Sequence, residues 1–149
     1  MDAETQLDGF IARFSDKVAG ETRAAVARMR QLLPGATVLV YDNYNALAIA
    51  FGASEKLADI VSSVAVYPRW CSLFFARGST LDDPNGLLKG EGSRVRHIVI
   101  DDLALFDDPR VQDLMDRAMV DVPFLKEATP PGRVIIKSIS AKQRPRRPG

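Results

Sequence analysis

The start of the chain carries apolar residues at helical spacing. Leu7, Phe10, Ile11 and Phe14 recur three and four positions apart, as on one face of an amphipathic helix. A second apolar stripe extends over residues 18–33 and ends at Pro34-Gly35, a pair that commonly terminates helices. The pattern therefore predicts two N-terminal helices, with Ser15 or Asp16 as the cap of the second.

The middle of the chain is rich in short apolar and β-branched runs that turn residues separate. These runs predict five strands, at residues 37–41, 46–51, 62–67, 71–76 and 95–100. The turn residues Asp42 to Asn45 join the first two, so we expect a hairpin there. Short connections of this kind favour antiparallel pairing.

A third helix is predicted after residue 107. Asp108 is a suitable cap and Pro109 suits the first helical position. Pro130-Pro131-Gly132 then forms a joint before a short edge strand at residues 134–136. The prediction is an α+β domain, with a mostly antiparallel sheet of about five strands, two N-terminal helices and one C-terminal helix packed on it.

Composition and charge divide the chain into a body and a tail. At 149 residues, with 46% hydrophobic and 26% charged residues, it suits one globular domain, which we place at residues 1–140. Six of the 20 Lys and Arg residues lie after residue 132, where no acid occurs, so the rest carries 14 basic against 19 acidic residues. We therefore expect residues 141–149 to form a flexible basic tail, and an acidic body with a basic tail is a pattern seen in proteins that contact nucleic acids.

The chain also shows no sign of export or membrane insertion. Its first four residues include two acids and no base, and no apolar segment is long enough to cross a bilayer. Its single cysteine, Cys71, excludes an internal disulfide framework and a four-thiolate zinc site. We predict a cytoplasmic protein without a membrane partner, either a monomer or a weak homodimer.

Several segments together resemble the YdhG-like family of small bacterial domains of unknown function. They are residues 41–47, 67–70, 73–78, 83–90 and 95–97, and the resemblance covers residues 7–118. The segment Asp83-Pro84 with Leu87-Leu88-Lys89-Gly90 is the most distinctive, and the tail is similar to that of one subgroup. The resemblance implies an α+β fold with an antiparallel sheet. It also implies an iron-binding role, since one family member is described as a frataxin-like iron chaperone. Here, however, acidic residues fall in scattered pairs with no acidic helical ridge.

The strongest candidate site surrounds a glycine-rich loop at residues 78–92. The candidate ligand-binding residues are Arg77, Lys89, Arg94, Arg96 and His97, with Tyr41, Tyr67 and Trp70 as aromatic walls. Arginine's planar fork suits carboxylates and phosphates, and Tyr and Trp suit the edge of a cleft. In an extended strand Arg94 and Arg96 point to one face and His97 to the other. Pairing with nearby acids is the alternative role for these cations.

No set of residues predicts catalysis or a metal centre. No recognisable nucleophile or orienting carboxylate accompanies His97, and we interpret Cys71 as a small buried residue. The glycines do not form a phosphate-binding fingerprint. The sequence thus predicts a binding module, without cofactor, for a small anionic molecule or a protein carboxylate. The alternatives are a frataxin-like iron protein, supported by the resemblance alone, and a nucleic-acid-associated protein acting through its tail.

Overall fold

The structure, a computed structural model, describes residues 1–127 and 132–148. It contains three α-helices, α1 (Ala3–Ala12), α2 (Asp16–Leu32) and α3 (Pro109–Ala118). The strands are β1 (Thr37–Asp42), β2 (Leu47–Gly52), β3 (Ile60–Val66), β4 (Cys71–Phe75), β5 (Arg96–Val99) and β6 (Val134–Ile139). The predicted α+β class, with two N-terminal helices and one C-terminal helix, is confirmed.

The helix boundaries follow from their caps. Ser15 Oγ accepts a hydrogen bond from the Val18 amide at the start of α2, and Asp108 caps α3 by accepting from the Arg110 amide. Pro109 occupies the first turn of α3, where its missing amide hydrogen costs nothing. Helix α2 continues through Gly20 without interruption.

The sheet has six strands in the order β5-β4-β3-β2-β1-β6. Strands β1 to β5 pair antiparallel with their chain neighbours, and β6 lies parallel to β1 at the edge. The sixth strand is the predicted edge strand, longer than expected. The predicted joint at residues 130–132 lies mostly outside the described residues.

The helices cover one face of this sheet. Alternate strand residues such as Val40, Ile49 and Val64 join one buried cluster with Ile11 and Met29 of the helices. The intervening residues point to the opposite face. Among the described residues, no helix is both long and apolar enough to span a membrane.

The C-terminal tail is fixed by a buried ion pair. The Arg146 guanidinium donates to Asp42 Oδ1 at 2.9 Å, and both side chains are almost fully buried. Gln143 donates to Asp42 Oδ2 at 2.8 Å, and Arg146 lies 5.7 Å from the centre of the Phe14 ring. Residues 141–148 have no regular secondary structure, but they pack against the body, in contrast to the flexible tail that the composition predicts.

We expect Arg146→Met to destabilise the protein by about 3–5 kcal/mol, because it leaves the Asp42 carboxylate buried without its cation. Urea unfolding measures this loss. Arg147→Met is the matched control, since Arg147 is exposed and its removal should change stability little. The double variant Asp42→Asn/Arg146→Met should recover part of the loss. A single Arg146 variant as stable as the control contradicts this account.

Candidate functional site

The predicted site residues lie near the two opposite ends of the strands, which we call the Trp70 edge and the Arg77 edge of the sheet. Trp70 directly precedes β4 and Arg77 follows it, while the five residues of β4 span roughly 16 Å between them. Tyr41 and Tyr67 lie towards the Trp70 edge, and the remaining cations lie towards the Arg77 edge. The structure therefore does not join all eight residues in the single cleft that the sequence predicts.

At the Trp70 edge, the Tyr67 and Trp70 rings stack with their centres 5.0 Å apart. Partial burial raises the pKa of the Tyr67 hydroxyl above its ordinary value. Tyr41 is half-buried on the same uncovered face of the sheet, opposite Ala48.

His97 lies on the uncovered face of β5. Its ring stacks on Phe74, with centres 5.0 Å apart, and its backbone pairs with Lys89. Arg96 points to the opposite face, as strand alternation predicts. The nearest polar candidates do not serve His97 as nucleophiles, because Ser79 Oγ donates to the Ser93 carbonyl and Cys71 is buried on the helix-covered face.

Arg96 is engaged by the glycine-rich loop itself. Its guanidinium donates to the carbonyl oxygens of Gly92 and Val95. Arg94 and Lys89 are exposed. Arg96 thus orders the loop that precedes β5, a role different from the predicted ligand contact.

A cavity of about 340 Å³ lies at the Arg77 edge, among the ends of β3, β4 and α3. Phe75, Val61, Leu81 and Val122 supply apolar walls, while Arg77 and Arg117 are its cations. Val61 reaches this cavity because it is the extra residue of a bulge, where Ser62 pairs with Phe51 but Ile60 pairs with Gly52. A bulge of this kind redirects a side chain that regular alternation would place on the uncovered face.

The two cations of the cavity differ in their partners. Arg117 donates to the Asp82 carbonyl at 2.7 Å and pairs with the carboxylates of Asp82 and Asp113 at 3.2 and 3.0 Å. Within residues 1–127 and 132–148, the Arg77 side chain has no ion pair and no hydrogen bond. Arg77 is therefore available to an anion. Sequence reasoning missed Arg117, whose only signal is its four-residue spacing from Asp113.

The carboxylates that line the cavity are mostly engaged as well. Asp59 accepts a hydrogen bond from Ser54 at 2.6 Å, and Asp82 is paired with Arg117. Asp121 has no such partner in the part of the chain that the structure describes. Among its described lining residues, the cavity thus presents one available cation, one available carboxylate and apolar walls.

The residues described do not contain a group of three or more His, Cys, Asp or Glu side chains that could hold a metal ion. Asp107 pairs instead with Arg28 at 2.7 Å, which lowers the pKa of its carboxyl. Asp102 caps a short helical turn, and Asp108 caps α3. The donor set gives the iron-binding alternative no support, and that alternative stays a prediction from the resemblance.

The tail uses part of its charge internally. Arg146 is paired with Asp42, and Arg147 donates to the Arg13 carbonyl at 3.1 Å. Lys142 and Arg144 remain exposed. The tail therefore presents less free positive charge than its composition predicts, and nucleic-acid contact stays a prediction.

In comparisons with known proteins, no family model matches this chain, and no curated protein or solved structure gives a significant match. The resemblance to the YdhG-like family therefore stays a prediction.

We expect Gly78→Ala to lower the free energy of unfolding by about 1–3 kcal/mol, because the added methyl group would be overpacked against Arg96 and would shift the backbone. A Cβ at Gly78 would lie 2.5 Å from Arg96 Cβ and 2.9 Å from its backbone nitrogen. Gly20→Ala is the control, since no atom outside the neighbouring helix backbone lies within 4 Å of its added Cβ and alanine favours the helix. Thermal unfolding of both variants tests the contact, which is refuted if the Gly78 variant is as stable as wild type.

We expect Cys71 in the native protein to resist a dithiobis-nitrobenzoate reagent at mildly alkaline pH and to react rapidly once guanidinium unfolds the chain. Burial raises the pKa of this thiol to about 11, whereas the unfolded thiol ionises near 9. Because the unfolded chain loses this proton first, Cys71 should reduce stability progressively as pH rises from 9 to 11. Cys71→Ala should remove that pH-dependent part, and rapid labelling of the native protein would contradict the burial.

Proposed function

We propose that this protein is a small binding module for an amphipathic monocarboxylate, held in the cavity at the end of α3. The observation that carries the proposal is Arg77, a cation without a protein partner among the described residues, at the mouth of a cavity with apolar walls. A guanidinium so placed gives a carboxylate two parallel donors. The cavity volume of about 340 Å³ suits a small molecule.

The apolar walls supply the second half of the recognition. Phe75 is fully buried, and Val61, Leu81 and Val122 are half-buried around it. Val120 also lines the cavity and is 71% exposed, so a ligand would cover apolar surface that water now contacts. Burying that surface would contribute about 25 cal/mol for each Å².

Asp121 sets a limit on the charge of the ligand. Its carboxylate lines the same cavity as Arg77 and has no partner in residues 1–127 or 132–148. A second negative charge on the ligand would face this carboxylate in a partly enclosed space, which is unfavourable. The proposal therefore favours monocarboxylates over dicarboxylates and inorganic phosphate.

We expect hexanoate or phenylacetate to raise the unfolding temperature of the wild-type protein, whereas hexanamide and phenylacetamide leave it unchanged. Arg77→Ala should abolish the stabilisation because it removes the unpaired guanidinium. Arg94→Ala is the matched control, since Arg94 is an exposed arginine of the same loop that does not line the cavity. Differential scanning fluorimetry and calorimetric titration provide the measurements.

Stabilisation by the amides equal to that by the carboxylates would show that Arg77 does not recognise charge. Equal losses in the Arg77 and Arg94 variants would show a diffuse electrostatic effect. Either result, or an absence of binding by the wild-type protein, refutes the proposal.

A further inference from the structure

The face of the sheet opposite the helices is a trough with a floor of small side chains. Cross-strand pairing aligns the small residues of β2, β3 and β4 on this face, namely Ala48, Ala50, Ser63, Ala65 and Ser72. Larger side chains stand on either side. Phe74 and His97 lie towards β5, whereas Leu39 and Tyr41 lie towards β6.

A hollow of about 510 Å³ occupies the end of this trough near the β1–β2 turn. Tyr44, Tyr67 and Phe74 form its walls, while Ala48 and Ala65 lie in its floor. Two of the wall rings are held by stacking, Tyr67 on Trp70 and Phe74 on His97. The short floor side chains leave room for a flat ring to lie close to the sheet, between aromatic walls that can contact its face or edge.

The polar groups of the hollow suit the edge of a heteroaromatic ring. Asn45 lines it and makes no side-chain hydrogen bond within the described residues, and Asn43 and Ser63 also line it. An amide side chain offers both donors and an acceptor, which match the edge of a nucleobase.

The charge around the hollow favours an anion. None of the described residues that line it is acidic, in contrast to the cavity near Arg77. The Arg144 guanidinium lies 5.6 Å from the centre of the Tyr44 ring, and so stands beside one wall. The backbone amide of Arg144 donates to the Tyr44 carbonyl at 2.9 Å, which holds this part of the tail in place.

We propose that this trough binds a nucleoside monophosphate group, either free or within a single-stranded nucleic acid. The base lies on the floor at Ala48 and Ala65 between the aromatic walls, its edge contacts Asn45, and its phosphate pairs with Arg144. The observations that carry the proposal are the open hollow with aromatic walls and a floor of small side chains, the free amide and the cation. The site shares no lining residue with the cavity near Arg77, so the proposal is independent of the function argued above.

Titration with AMP and UMP tests the proposal on the full chain. Binding should change the fluorescence of Trp70, the only tryptophan, because its ring stacks on a wall of the hollow. Isothermal calorimetry gives the dissociation constant without optical interference. Ala48→Leu should weaken binding at least about tenfold by filling the floor, whereas Ala12→Leu, at an exposed helix position, should not.

Arg144→Gln separates the phosphate contact from stacking. We expect it to weaken AMP binding about tenfold and to leave adenosine binding unchanged, because only the phosphate uses the guanidinium. Circular dichroism and thermal unfolding confirm that each variant is folded. Should Ala48→Leu unfold the protein, Ala65→Val serves as the second variant for filling the floor.

A single-stranded oligoadenylate identifies the source of the nucleotide. Tighter binding than that of AMP assigns a nucleic-acid strand, and equal binding assigns free nucleotides. The proposal is overturned if neither AMP, UMP nor the oligonucleotide binds wild type at millimolar concentration. It is also overturned if filling the floor leaves binding unchanged in a folded variant. Unchanged AMP affinity in Arg144→Gln overturns the assigned phosphate contact.

Discussion

The Asp42 carboxylate is the point at which the two ends of this chain are joined. It terminates β1, accepts hydrogen bonds from Gln143 and Arg146 of the tail, and lies 3.7 Å from the Arg13 guanidinium between α1 and α2. A buried carboxylate is costly unless it is paired and hydrogen-bonded, so these partners have to be in place together. The tail is consequently part of the fold, and its position beside Tyr44 follows from this buried pair.

Three helices cover one face of the six-stranded sheet and leave the opposite face without a helical cover. The central strands place alanine and serine on this face, and Ala50 is only 3% exposed without a covering helix. Larger apolar residues in the same rows would form an exposed patch, a feature typical of interfaces and aggregation. The trough is thus a consequence of placing small side chains in the central rows of a sheet face that the described helices leave uncovered.

Local patterns could be predicted from the sequence, whereas pairings distant in the chain could not. The stripes of α1 and α2, the cap at Asp108 and strands β1 to β5 depend on neighbouring residues. The extent of β6, which lies parallel to β1, and the burial of Arg146 depend on contacts roughly a hundred residues away. Arg77 and Trp70 are close in sequence, yet an intervening strand separates them, and Arg117 reaches the cavity from a helix with no binding motif.

A single bulge in β3 explains how one strand serves two separate hollows. Val61, Ser63 and Ala65 are two residues apart and would lie on one face of a regular strand. The extra residue at Val61 breaks that alternation, so Val61 lines the cavity near Arg77 while Ser63 and Ala65 line the trough. Because the change of face occurs within the backbone, a side chain added to either hollow does not enter the other. The two sites are therefore distinct in structure and can be altered one at a time.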